Sequence, residues 1–232
     1  MPTNQGNIRI ALASGSPRRR ELLATMRLEF RVVASDAVEL LIPNEQPADL
    51  VQRLSLAKAQ AALGVRPGDL VIAADTIVVL DDEILGKPRD AAHAIEMLQR
   101  LRNRQHWVYT GVALLEVGGG RTSLQTAMTP VTMRDYRPAE IAAYVASGDP
   151  LDKAGAYAIQ SSSFDPIAHI EGCYTNVMGL PLCHLYRVML RWRWDAPIHP
   201  LQACPYARRS DCPWAQAILD ASPTDADRTN DS

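Results

Sequence analysis

Residues 14–20, Ser-Gly-Ser-Pro-Arg-Arg-Arg, carry the clearest chemical signal in the chain. A short apolar run at residues 8–13 (IRIALA) reads as a buried strand leading into them. A helix is expected to start there, with Ser16 as a natural N-cap and Pro17 in the first turn, where its missing N–H costs nothing. Arg18, Arg19 and Arg20 then sit beside the positive end of the helix dipole, the unfavourable end for cations. A capping box would place an acid at the position of Arg19. A bound anion resolves the conflict, because it accepts hydrogen bonds from the helix-start amides and pairs with the guanidinium forks. The alternative is a solvated arginine face.

Asp75 is the second signal. It interrupts an apolar stretch, residues 70–80 (LVIAADTIVVL), where an unpaired carboxylate would be expensive to bury. It needs a metal, a cation or a hydrogen-bond network, and strand ends in open α/β sheets border ligand crevices. A structural aspartate capping a turn between two strands is the competing reading. Gly86-Lys87-Pro88 adds a lysine in a rigid turn. Asp152-Lys153-Ala154-Gly155-Ala156-Tyr157 adds an acid and a base beside small residues that let backbone approach a ligand. Taken as residues alone, Lys58 at the edge of a helix face and Glu39 in a loop read as surface positions.

The elements that must position these groups alternate between strand and helix. Residues 17–26 and 48–63 read as helices, the second with Leu50, Leu54, Ala57 and Ala61 on one face. Residues 30–34 suit a strand, and residues 70–80 one or two buried strands followed by a turn at Asp81-Asp82-Glu83. Asp90 is a plausible N-cap for a helix presenting Ala91, Ala94, Leu98 and Leu101. Residues 105–117 and 123–133 flank Gly118-Gly119-Gly120-Arg121 as a hairpin, and residues 138–147 and 181–190 read as proline-opened helices. This order implies an α/β fold whose mixed, twisted sheet is flanked by helices.

Composition narrows the setting. The 232 residues are 47% hydrophobic and 22% charged, with a formal net charge of −2. No global field therefore favours nucleic acid or an anionic membrane, and neither is expected as a partner. No signal-peptide pattern or membrane-length apolar run is evident, and the four cysteines are irregularly spaced, so a reducing cytoplasm is the expected location. Residues 1–191 are read as one domain and 192–232 as an extension. The extension carries prolines, Trp192, Trp194 and Trp214, with its tryptophans docked on the body and its polar end from Thr224 disordered. A zinc module through His199, Cys204 and Cys212, with Cys183 or His184, fits no compact spacing. Cys173 and Cys183 are instead read as small buried hydrophobes, and His93 and His106 as structural or solvated.

Taken together, the segments resemble the Maf family of nucleotide pyrophosphatases. Its motifs are matched in order by Ser14-Gly15-Ser16-Pro17-Arg18-Arg19, Asp36-Ala37-Val38-Glu39, Lys58-Ala59, Ala74-Asp75-Thr76, Gly86-Lys87-Pro88 and Thr110-Gly111-Val112. The match continues through residues 152–160, Gly172-Cys173-Tyr174 and residues 176–182. The resemblance implies a Maf/ITPase-like fold with two lobes about a deep cleft, often dimeric. It also implies divalent-cation-dependent hydrolysis of a nucleoside triphosphate between its α and β phosphates. By matching positions, Asp75 would be the general base. Ser14, Ser16, Arg18, Arg19, Lys58, Lys87 and Lys153 would hold phosphates, and Glu39, Asp75 and Asp152 would lie at a Mg²⁺ or Mn²⁺ ion.

Within the family, the subgroup acting on dTTP and UTP resembles this chain at Arg18, Thr76 and Gln160. A glutamine amide can both donate to and accept from a uracil edge. The subgroup acting on 7-methyl-GTP tends to have tryptophan after the Ser-Pro, Asp-Gln after the strand and an acid in place of the glutamine. The chain departs from the common pattern at residues 161–166 (SSSFDP), which replace a glycine-rich loop, and at Cys173. Rival readings are an enzyme for 7-methyl-GTP or other modified nucleotides, and a nucleotide-binding regulator of cell division with little turnover.

Overall fold

The computed structural model describes residues 8–40, 42–206 and 212–221. The stretch from Thr224 expected to be disordered lies outside them. In chain order, the first half comprises β1 (Arg9–Ala13), α1 (Pro17–Thr25), β2 (Phe30–Val33), α2 (Pro47–Gln60), β3 (Asp69–Leu80) and β4 (Glu83–Leu85). α3 (Ala91–Leu101), β5 (Gln105–Glu116), β6 (Thr122–Met133) and α4 (Pro138–Ala146) follow. After 3-10 turns at Asp149–Asp152 and Ala154–Ala156 come β7 (Ile167–Ile170), α5 (Tyr174–Val177) and α6 (Leu182–Arg191). α7 (Pro200–Ala203) and α8 (Ala215–Asp220) complete the described chain.

The strands form one mixed sheet of seven, in the order β2-β1-β3-β5-β6-β7, with β4 beside β3. β1 runs parallel to both β2 and β3, and the other pairings are antiparallel. The apolar run around Asp75 is thus one long strand, paired with β5 from Leu70–Glu116 to Val79–Trp107.

Alternation along β3 builds two lobes. On one face Leu70, Ile72 and Ala74 join a core with Leu12, Leu22, Leu23, Leu185 and Met189. Further along the same face, Val78 and Leu80 join a second core with Leu98, Leu101, Tyr136, Tyr144 and Phe164. Thr76 lies between the two. The opposite face is covered by α2, whose Leu50, Val51 and Leu54 meet Ile77 and Val79. The expected α2 face is therefore rotated: Leu50 and Leu54 are buried, but Val51, Ser55 and Ala59 complete the stripe in place of Ala57 and Ala61.

Two close fits fix this arrangement. Gly111, opposite Asp75 in the β3–β5 register, lets α2 press onto the sheet, since a Cβ there would lie 2.1 Å from the Val51 carbonyl oxygen. At the start of β3, buried Asp69 gathers three strands. It accepts hydrogen bonds from the Arg66 N–H at 2.8 Å, Arg9 Nε of β1 at 2.6 Å and Arg31 Nη2 of β2 at 2.7 Å.

The segment after α6 folds back onto it. Trp192, Ala196 and Ala203 are part of the first core, and the Ile198 N–H donates to the Met26 carbonyl at 3.2 Å. Arg121 stacks on both Trp192 and Trp194, its guanidinium carbon 5.0 Å from each ring centroid. β4, β7, α5, α7 and α8 are additions to the expected elements. No helix among the described residues is long and apolar enough to cross a membrane.

Burial works against the ionisation of Asp69, but its backbone and guanidinium donors outweigh that and hold its pKa at about 2. The folded pKa lies below the unfolded value, so this contribution is complete above the ordinary carboxylate range and disappears as pH falls through about 2. Asp69→Asn should cost about 2 kcal/mol at pH 7. Urea denaturation of both proteins should show the gap closing as pH falls from about 4 towards 2.

Candidate active site

Between the lobes, β3 has an open edge. β1 pairs with it only as far as Leu12–Ile72, and β4 begins only at Val78–Leu85. The intervening residues border a cleft of about 690 Å³, a volume suited to a small ligand. Ser14, Ser16, Arg18, Arg19, Glu39, Lys58, Asp75, Thr76, Lys87, Asp152, Lys153 and Gln160 all line it. Segments far apart in the chain thereby share one concave surface.

Asp75 is 7% exposed and points to the α2 face. Lys58 lies seven residues after Val51, two helical turns along the face that α2 presses on the sheet. Its Nζ donates to Asp75 Oδ1 at 2.5 Å and reaches Glu39 Oε1 at 2.8 Å. The surface reading of Lys58 from the residues alone is therefore corrected: its side chain is 15% exposed, because the sheet-facing side of α2 is turned from the one its leucine and alanine spacing suggests. Ser35 brings the Glu39 segment close by donating its hydroxyl to the Lys58 carbonyl at 2.9 Å. The Lys58 hydrogen bond outweighs partial burial and holds the Glu39 carboxyl below its ordinary range, with Lys87 and Arg19 adding to the effect.

Thr76 points to the other face, where Arg19 meets it. Arg19 donates from Nη2 to Thr76 Oγ1 at 3.0 Å, from Nε to the Gly179 carbonyl at 2.8 Å and from Nη1 to Ser14 Oγ at 3.4 Å. Desolvation lowers its pKa and Asp75 opposes that shift; the guanidinium stays charged. Thr76 Oγ1 lies 2.9 Å from Thr110 Oγ1, and Thr110 in turn donates to the Asn176 carbonyl at 3.1 Å. Buried Asn176 anchors its loop to the sheet through the Val108 carbonyl at 3.0 Å and Thr129 Oγ1 at 2.9 Å. Ser16 occupies the N-cap position of α1, as expected, but its side chain makes no capping hydrogen bond, and the first turn holds no acid. Nothing in that turn offsets the positive end of the dipole.

The second lobe contributes a different ion-pair group. Buried Lys153 Nζ pairs with Asp152 Oδ1 at 2.6 Å and Asp149 Oδ1 at 3.0 Å, and donates to the Asp149 carbonyl. Burial opposes ionisation of Asp152, but Lys153 prevails and holds its pKa below the ordinary range. The turn that carries Lys153 needs glycine at 155, where φ is +69° and a Cβ would approach Val78 at 3.1 Å. Its N–H donates to the Gly86 carbonyl at 3.1 Å, joining the Lys87 loop to the same wall. Tyr157 is anchored by its hydroxyl, 2.8 Å from His106 Nε2, and burial lowers the His106 pKa to about 4. His106 is thus a neutral structural histidine.

A model of the Maf-like protein family matches residues 9–192, most of the chain. The chain belongs to the Maf family. Among its Maf relatives, a protein named dTTP/UTP pyrophosphatase from Geobacter metallireducens is 49% identical over 77% of this chain and 93% of its own length. Another of that name, from Salinibacter ruber, is 47% identical over 81% of this chain and 93% of its own length. The Ham1 protein of Staphylococcus aureus, a solved structure, matches at 15% identity with a TM-score of 0.40, over 55% of this chain and 72% of that one. The Maf match ends at residue 192, just after α6.

Three contacts that shape the cleft walls were not legible in the sequence. Asp149 was missed because only the 3-10 turn brings it back to Lys153, four residues on. The Thr110–Asn176 link and the Gly179 carbonyl were visible only as motif residues, since their partners lie more than 60 positions away. Glu39 and Asp75 are brought together through Lys58, whereas Asp152 is held by Lys153 on the other lobe. Among the described residues, no three His, Cys, Asp or Glu side chains are drawn into a formed metal site. Replacing Lys58 with Met should raise the pKa of the Glu39 carboxyl towards its ordinary value, as a side-chain carbonyl NMR titration would show.

Proposed function

We propose that the protein hydrolyses a nucleoside triphosphate, dTTP or UTP, to the monophosphate and pyrophosphate, removing excess or non-standard nucleotides. The observation that carries this reading is a nearly buried carboxylate, Asp75, at the open edge of β3 within a cleft ringed by Arg18, Arg19, Lys58, Lys87 and Lys153. The names of the relatives support the same substrates.

Phosphoryl-group chemistry depends on positioning, on positive charge at the phosphate oxygens and on an oriented nucleophile. The uncapped start of α1, with Ser14, Ser16, Arg18 and Arg19, receives one part of the triphosphate. Lys87 and Lys153 receive another from the opposite lobe. Water adds to a phosphorus of the α–β bridge, the bridging P–O bond breaks with its electron pair leaving on one phosphate oxygen, and the water proton passes to Asp75. Lys58 holds Asp75 in place before substrate enters and turns a positive charge towards the phosphates when they arrive. Arg18, Thr76 and Gln160 are assigned to base recognition, with the Gln160 amide at the exposed rim of the cleft.

A divalent cation fits this donor set. Magnesium usually takes one or two carboxylates and completes its shell with phosphate oxygens and water. Asp75 and Glu39 would hold it, and it would supply neutralisation of phosphate charge there. Asp152 would join only after Lys153 passes from it to a phosphate.

Asp75→Asn should lower kcat about 10³-fold, measured with UTP and Mg²⁺ by separating pyrophosphate from orthophosphate. Orthophosphate as the sole product of the unaltered protein would overturn the cleavage position. Gln160→Ala should lower kcat/KM for UTP about tenfold. Faster turnover of 7-methyl-GTP than of UTP and dTTP would overturn the base preference and leave the reaction class standing.

A further inference from the structure

The chain has four cysteines, all free thiols, and they come from four separate segments. Cys173 precedes α5, Cys183 is the second residue of α6, Cys204 follows α7 and Cys212 lies just before α8. All four line one cavity of about 10 Å³, whose remaining walls include the apolar side chains of Leu201, Ala215 and Ile218. Two of the cysteines belong to the nucleotide-binding body and two to the extension. A buried cysteine is ordinarily a small hydrophobe, and one or two in a core need no further account. Convergence of every thiol in the chain on one atom-sized void is a different observation.

We propose that Cys173, Cys183, Cys204 and Cys212 are the ligands of a structural zinc ion that fastens the C-terminal extension to the body. Four thiolates in a tetrahedron are a standard closed zinc site. The cavity has room for a single ion, not for an iron–sulfur cluster. This ligand set replaces the one considered from sequence spacing. His199 turns its Nδ1 to the Leu201 N–H at 3.2 Å and packs edge-on against Tyr186. Neither His199 nor His184 lines the cavity.

Burial disfavours the thiolate of Cys173, pushing it up to about 11, and raises Cys183 for the same reason. Zinc reverses this preference by binding the thiolate form and releasing the protons. Among the described residues no three of these side chains already stand at metal-binding geometry, so binding the ion would require the thiols to move. A zinc tetrathiolate carries net negative charge. The buried Arg187 guanidinium, which donates from Nη1 to the Ile218 carbonyl at 3.0 Å, places a cation behind the same wall.

The test uses the full chain, purified without chelators from zinc-supplemented cells, and is independent of the reaction assigned to the cleft. Elemental analysis should find about one zinc per chain. Replacement by Co²⁺ should produce the intense visible bands and sulfur-to-cobalt charge transfer of a tetrahedral thiolate site. The double variant Cys204→Ser, Cys212→Ser should lose the metal and show a lower Tm, while nucleotide hydrolysis continues. If that variant does not fold, the cobalt spectrum of the unaltered chain decides. Absence of zinc and cobalt uptake, a cobalt spectrum without thiolate charge transfer, bound iron and sulfide, or cysteines isolated as disulfides would each overturn the proposal.

Discussion

The ion pair between Lys58 and Asp75 is the contact on which the cleft depends. A carboxylate almost removed from water in the middle of an apolar strand costs several kcal/mol unless a partner meets it. The partner arrives only because α2 lies flat on the sheet, and α2 lies flat only because Gly111 has no side chain to hold it off. Removing Lys58 would leave an uncompensated buried charge. Adding a methyl at residue 111 would lift the helix that delivers the lysine. Chemistry and packing are thus coupled through one helix face.

The other cations divide into two kinds. Lys58 and Lys153 are held by carboxylates of the chain itself, so their charges are positioned and balanced before any ligand enters. Arg18 and Lys87 stand at the cleft with no ion-pair partner among the described residues. Arg19 is fixed by neutral oxygens on Ser14, Thr76 and Gly179, which orient the guanidinium without neutralising it. An entering polyanion would therefore meet unbalanced charge first and then exchange places with Asp75, Glu39 and Asp152 at the paired lysines. Exchange of this kind lowers the cost of keeping a cationic cleft stable without ligand.

The segment after α6 packs into the first lobe. Trp192, Ala196 and Ala203 are continuous with the core that supports α1 and β1, and hence the arginine loop. Arg187 links α6 to Gln125 on β6 and to Ile218 on α8. A metal clasp at the four thiols would act on this same wall, supporting the cleft from behind without touching it.

The sequence by itself determined the arginine loop, the aspartate within the apolar run, the alternation of strands and helices, and the family. Each is written in short-range order: apolar periodicity, a proline at a helix start, charges at the wrong end of a dipole, motifs in sequence. Only the tertiary structure decided which face of α2 meets the sheet, and so that Lys58 is turned inward. It also joined Asp149 to Lys153, linked Thr110 to the Asn176 loop and gathered the four cysteines at one cavity. Those pairings depend on sheet register and on how closely backbones approach. At Gly111 the absence of a methyl-sized group decides how closely α2 approaches the sheet, and local spacing carries no record of it.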